Sequence, residues 1–100
     1  MTQRIKQSDL EKRVEHLNQM LGLPNDTYKR DSDGNYVRDE RGLIANPNVF
    51  YIGMAYGGYR LEQMCEGGGA RDVSFRGTKQ EIWDFMGAYM QGIQAGKDAA

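Results

Sequence analysis

Residues able to do covalent or acid–base chemistry are few and scattered in this chain. There is one histidine, His16, and one cysteine, Cys65. Nucleophilic catalysis needs a nucleophile beside a base, and acid–base work needs carboxylates gathered in a cleft or a metal. His16 falls on the polar side of a helical pattern. Cys65 ends a strand pattern, where a thiol packs as a small hydrophobe. Carboxylates are plentiful, but they sit in turns and on helix faces, where solvated charge is the default. Asp31-x-Asp33-x-Asn35 opens like a calcium loop. Its glycine, Gly34, comes too early, and Gly42 stands where a bidentate glutamate is needed. Gly53-x-x-x-Gly57 is too loose for a phosphate loop. Gly67-Gly68-Gly69-Ala70-Arg71 precedes a strand, whereas a phosphate cradle leads into a helix. The expectation is therefore a non-enzyme with no catalytic residues, no metal site and no cofactor.

Binding chemistry is better supplied. Tyr51, Tyr56, Tyr59, Arg60 and Met64 cluster around Gly53, Gly57 and Gly58. Aromatic residues, Met and Arg are the types enriched at the centres of protein interfaces, so these five are the expected partner-binding set. The alternative is nucleic-acid binding by Arg71, Arg76 and Lys79, with tyrosines as a stacking platform. A formal charge of −1 argues against a strongly basic binder, although a local patch matters more than the sum. Self-association, with Trp83 at the edge of the apolar stripe of the second helix, is a further mode of protein binding.

The elements that must position these residues can be read from periodicity. Ser8 and Glu11 have the spacing of a capping box, and Leu10, Val14, Leu17 and Leu21 follow as one helical stripe. Gly22-Leu23-Pro24 stops that helix. Residues 25–48 read as a polar accessory hairpin or loop, with Asp33-Gly34 as its turn and Tyr28 facing Tyr36-Val37. Within it Arg30-Asp31-x-x-Gly34 is echoed by Arg38-Asp39-x-x-Gly42.

The second half reads as three strands and a helix. A turn at Gly57-Gly58 would pair Tyr56 with Tyr59, Met54 with Leu61, Ile52 with Gln63 and Phe50 with Cys65. That puts Phe50, Ile52, Met54, Leu61 and Cys65 on the core side. Tyr51, Gly53, Ala55, Arg60, Glu62 and Met64 take the other side. Gly67–Gly69 reverse the chain again, and Val73 and Phe75 alternate with polar residues in a third strand. Thr78 and Glu81 form a second capping box. Ile82, Phe85, Met86, Tyr89, Met90 and Ile93 give a wide apolar stripe. Gly87 and Gly92 lie inside this helix, and Gly96 is expected to end it before a frayed tail. The fold class is α+β, one domain over residues 1–100: an antiparallel three-stranded meander flanked by an N-terminal and a C-terminal helix. The order α-β-β-β-α is that of double-stranded RNA-binding domains.

One hundred residues suffice for one modest core. A polar start and the lack of any run near the ~20 apolar residues of a span predict neither leader nor membrane anchor. A lone cysteine fits a reducing cytoplasm.

Tyr51-x-Gly53-x-Ala55-Tyr56-Gly57-Gly58-x-x-Leu61, Gly68-Gly69-x-x-Asp72-Val73, Lys79-x-Glu81 and Ala88-Tyr89-x-x-Gly92-Ile93 together form a pattern. Across its second half the chain resembles small uncharacterised proteins of tailed bacteriophages and prophages. The resemblance implies a phage-encoded accessory protein in the cytoplasm of a bacterial host. Such a protein would bind and modulate host or phage proteins, and no catalytic residue is carried over.

Overall fold

The structure, a computed structural model, describes residues 4–99; the part of the expected polar start at 1–3 lies outside them. The elements in chain order are α1 (Gln7–Met20), β1 (Arg38–Asp39), β2 (Gly42–Leu43), β3 (Phe50–Ala55), β4 (Gly58–Met64), β5 (Ala70–Asp72) and α2 (Lys79–Ala99). Strands β3, β4 and β5 form an antiparallel sheet in that order, and β1 and β2 form a separate two-stranded ribbon. Both helices lie on one face of the larger sheet, α1 against β3 and α2 against β4.

Between them lies the core. Leu10, Leu17, Leu61, Ile82 and Met86 are fully buried, with Val14 and Phe50 nearly so. Burial of each large apolar side chain contributes about 1.5–3 kcal/mol, which is what fastens two helices to so small a sheet. The α1 stripe is correct through Leu17, but Leu21 is exposed. The helix has ended there, and Gly22 takes the left-handed conformation (φ 69°) that reverses the chain.

The two helix starts differ. At α2 the capping box is complete: the Glu81 N–H donates to Thr78 Oγ1, and the Thr78 N–H donates to a Glu81 carboxylate oxygen. At α1 the expected Ser8–Glu11 box is absent because the helix begins earlier. Lys6 is the extended N-cap residue, and its N–H donates to the Asp9 carboxylate at 2.8 Å. Glu11 instead accepts from Gln7 Nε2. Helix α2 also runs through Gly96 to Ala99, beyond its expected end. Lys97 Nζ donates to the Met20 carbonyl at the end of α1, which ties the last turn down. Of the two interior glycines, only Gly87 marks a close approach. A Cβ there would lie 3.0 Å from Arg13 Nη1, whereas nothing lies near Gly92.

The β3–β4 turn is one residue earlier than Gly57-Gly58. Its central residues are Tyr56 (φ 53°) and Gly57 (φ 72°), and Ala55 pairs with Gly58. Hence Phe50 faces Gln63, Ile52 faces Leu61 and Met54 faces Tyr59. This correction shifts the register by two residues, which keeps every side chain on its expected face. The shift is fixed instead by the third strand. Tyr59 and Gly77 exchange both backbone hydrogen bonds at 2.8 Å, and Arg76 packs against Gly58, where a Cβ would meet its Cγ at 2.9 Å.

The third strand is also shorter than its alternation predicts. β5 ends at Asp72, and both Val73 and Ser74 donate to the Leu61 carbonyl. The buried Ser74 hydroxyl accepts from the Leu61 N–H at 2.9 Å and donates to the Phe75 carbonyl. A side chain thus replaces one rung of the ladder, and the chain bulges before rejoining at Gly77.

The 25–48 segment is ordered by turns. Asp31 Oδ1 accepts from the N–H of Asp33 and of Asn35, and Asp39 Oδ1 accepts from that of Arg41. Gly34 and Gly42 have φ of 84° and 112°. The Arg-Asp-x-x-Gly echo is one Asx turn made twice. Tyr28 does not face Tyr36; it bridges to Ala45, while Arg30 bridges to Tyr36.

Candidate functional site

Strand alternation divides the expected partner-binding residues. Tyr51, Arg60 and Met64 belong to the face of the sheet without helices. Met64, with Val49, is buried where the 25–48 segment joins the sheet, and the Asn48 N–H donates to the Met64 carbonyl. Tyr59 points to the helix side and packs against the core, so it does not share a face with Tyr51 and Arg60. Tyr56 stands at the hairpin tip, 97% exposed.

On the open face Arg60 organises a small charged group. Its Nη2 lies 3.4 Å from Glu62 Oε1, and its Nε lies 3.2 Å from Asp72 Oδ1 without the alignment of a hydrogen bond. The Glu62 carboxylate crosses directly over Gly53, where any Cβ would collide with it. Tyr51 borders this group. Burial, with the nearby Glu62 carboxylate, raises the Tyr51 hydroxyl above its ordinary phenol value. Acids outnumber the base here, so this face has little to offer an anion.

The alternative cationic set is divided too. Arg71 Nε donates to Gln63 Oε1 at 2.7 Å, at the end of the sheet remote from the tip. Arg76 and Lys79 instead gather at the tip. Arg76 Nη1 donates to the Ala55 carbonyl at 3.0 Å, and its guanidinium sits 5.6 Å from the centre of the Tyr56 ring. Lys79 Nζ lies 5.8 Å from the centre of the Tyr59 ring. Sequence order alone grouped the three cations; the ladder puts four residues of strand between Gln63 and Gly58.

Two further residues join the tip: Met54, which alternation put on the core side, and Phe75 of the expected third strand, 55% and 53% exposed. Their alternation with polar neighbours does give the correct face for Met54, but no helix extends that far. Phe75 leaves the strand at the bulge and meets Phe85 edge-on, with ring centres 6.0 Å apart. The signal available in the sequence was their position at the ends of their strand patterns, next to turns.

The tip is therefore an apolar and aromatic knob of Met54, Tyr56, Tyr59 and Phe75, carrying the charges of Arg76 and Lys79. Trp83, the other large aromatic considered for association, is covered by Arg13, whose guanidinium stacks 3.4 Å above the ring and donates to the Trp83 carbonyl. His16 lies exposed on α1 and Cys65 half-buried after β4. Among the described residues no three or more His, Cys, Asp or Glu side chains gather as a metal-binding group. No helix among the described residues is long and apolar enough to cross a membrane. Comparison with known proteins finds no match to a family model, a curated protein or a solved structure.

Proposed function

We propose that this chain is a non-catalytic binding module, an accessory protein of the kind tailed phages encode, that grips a host or phage protein through the β3–β4 tip. The site narrows from the expected five residues to Tyr56 and Tyr59, joined by Met54, Phe75 and the two cations. Tyr51 and Arg60 border it on the open face, and Met64 is too buried to touch a partner.

The observation that carries this reading is the conformation of Tyr56. A turn with both central residues at positive φ favours Asn-Gly or Gly-Gly, and a bulky residue at its first position is strained by about 1 kcal/mol. Tyr56 accepts that strain while 97% exposed, so packing gives it no return within the chain. Strain at an exposed aromatic, with Arg76 braced behind it, is the signature of a side chain displayed for contact. Nucleic acid is the weaker reading. Arg76 is already bonded to Ala55, Arg71 is remote, and the capping box at the start of α2 already engages the Thr78 and Glu81 N–H groups.

Affinity capture from bacterial lysate, with and without nuclease, tests the proposal. A stoichiometric protein that survives nuclease and is lost with Tyr56→Ala supports it. Nucleic acid retained by wild type and lost with Arg76→Glu and Lys79→Glu together would overturn it in favour of the alternative.

A further inference from the structure

The outer edge of β3 has a pairing site of its own. The Phe50 N–H donates to Asn18 Oδ1 at 2.9 Å, and the Phe50 carbonyl accepts from Asn18 Nδ2 at 3.1 Å. The peptide groups of Phe50 therefore point away from β4, toward α1. Direction alternates along an antiparallel ladder, so those of Ile52 and Met54 point outward as well. β3 is the outer strand of its sheet, and no loop, side chain or strand among the described residues bonds to these groups. Exposed edges of this kind accept an extended peptide as an added strand.

Beside this edge runs a groove of about 470 Å³ between α1 and β3, floored by Val14, Phe50 and Ile52 and walled by Glu11, Lys12 and Glu15. Neither Glu11 nor Glu15 is in an ion pair among the described residues. Across the strand, Glu62 and Asp72 flank Arg60. Around Ile52 both sides of the edge thus carry more acid than base, whereas Arg76 and Lys79 lie toward the tip beyond Met54, so the strand that complements the Ile52 end is basic. A second copy of the chain would set one acidic α1 wall against another.

We propose that the edge of β3 at Ile52 and Met54 takes up an extended basic segment of a partner protein as an added strand. Its backbone pairs with these two residues, an apolar side chain enters the groove over Val14, and a neighbouring Lys or Arg on the same face meets Glu11 and Glu15. Asn18 sets the register by occupying Phe50, so pairing starts at Ile52. The proposal rests on the reading of the chain as a protein-binding module but uses the backbone edge of β3, which meets the Tyr56 tip only at Met54.

Amide-resolved NMR titration of the full chain with octapeptides alternating apolar residues with Lys or Arg tests it. A matched set carries Glu or Asp in place of the bases. The expected result is shifts at the Ile52 and Met54 amides, with their hydrogen exchange slowed about tenfold. Affinity should fall about tenfold or more for the acidic set and for Glu11→Lys with Glu15→Lys. Met54→Pro removes an edge donor where proline is tolerated and should abolish binding, while Met54→Ala retains it. If Met54→Pro does not fold, the charge reversal on the exposed face of α1 carries the test alone. Equal binding of the acidic set, or silence at Ile52 and Met54 across the whole panel, overturns the proposal. Concentration-dependent protection of those amides without peptide also overturns it, because the edge would then belong to a second copy. Tyr56→Ala should leave the titration unchanged, and this separates failure at the edge from failure at the tip.

Discussion

The two ends of β3 are built on opposite terms. At Phe50 the strand is enclosed: the side chain is buried among helix residues, and both peptide groups are held by the fully buried Asn18. Four to six residues later, the same strand ends in a half-exposed Met54 and an almost wholly exposed Tyr56 in a strained conformation. Backbone polar groups lost from water must find partners, and large apolar groups are stabilising only when covered. The Phe50 end obeys both rules, whereas the Met54–Tyr56 end leaves its outward peptide groups to water and its large side chains uncovered. A short strand with this gradient anchors at one end and displays at the other.

The sharpest way to break the comparison is at the enclosed end. Asn18→Ala leaves the N–H and the carbonyl of Phe50 buried without partners. Each such loss costs about 1–3 kcal/mol, so chemical denaturation should show a drop of about 2–6 kcal/mol. A drop below about 0.5 kcal/mol would mean that water reaches Phe50 and that this end is not sealed.

Asn18 also marks how much of the molecule was legible. It lies four residues after Val14 and eight after Leu10, inside the apolar stripe, so a polar residue at a core position was visible. Its partner, the backbone of a strand 32 residues on, was not, because side chain–backbone bonds of long range leave no spacing in the sequence. Local devices were legible: the Thr78–Glu81 box, the left-handed Gly22 and the α2 stripe all depend on near neighbours. So were the faces of β3 and β4, because they follow from alternation. The turn was misplaced since a two-residue slip preserves those faces, and only the Tyr59–Gly77 pairing discriminates. The expected partner-binding set spans both faces of the sheet, which alternation alone shows. Tyr59 and Arg60 are adjacent in sequence and therefore on opposite faces, while Arg76 reaches the tip only because Ser74 bulges the third strand.

At the display end the expected effect on stability is smaller and opposite in sign. Tyr56→Asn installs the Asn-Gly pair that a turn of positive φ prefers. Relief of the strained tyrosine should stabilise the fold by about 0.5–1 kcal/mol, read as a raised denaturation midpoint with an unchanged slope. Capture of the tip's partner should be lost in the same variant. Gain of stability with loss of binding is the trade expected of a displayed residue. A destabilised Tyr56→Asn would instead place Tyr56 among the structural residues and erase the contrast along β3.

Tyr51 lies between the two ends and tests where enclosure stops. Burial first, and then the Glu62 carboxylate, hold its hydroxyl above the ordinary phenol value, which is near 10. Above that value the unfolded chain has lost a proton that the native state still holds. Fewer protons are then bound in the unfolded state, so stability falls as pH rises through the window between the ordinary and the raised value. Below it both states are protonated and Tyr51 contributes no slope. Tyr51→Phe should therefore stay close to wild type at neutral pH and decline less steeply in alkaline solution. The wild-type minus Tyr51→Phe ultraviolet difference titration should have its midpoint above that of a free tyrosine. A midpoint at the ordinary value would mean that water already surrounds Tyr51, and that the enclosed part of β3 ends at Phe50.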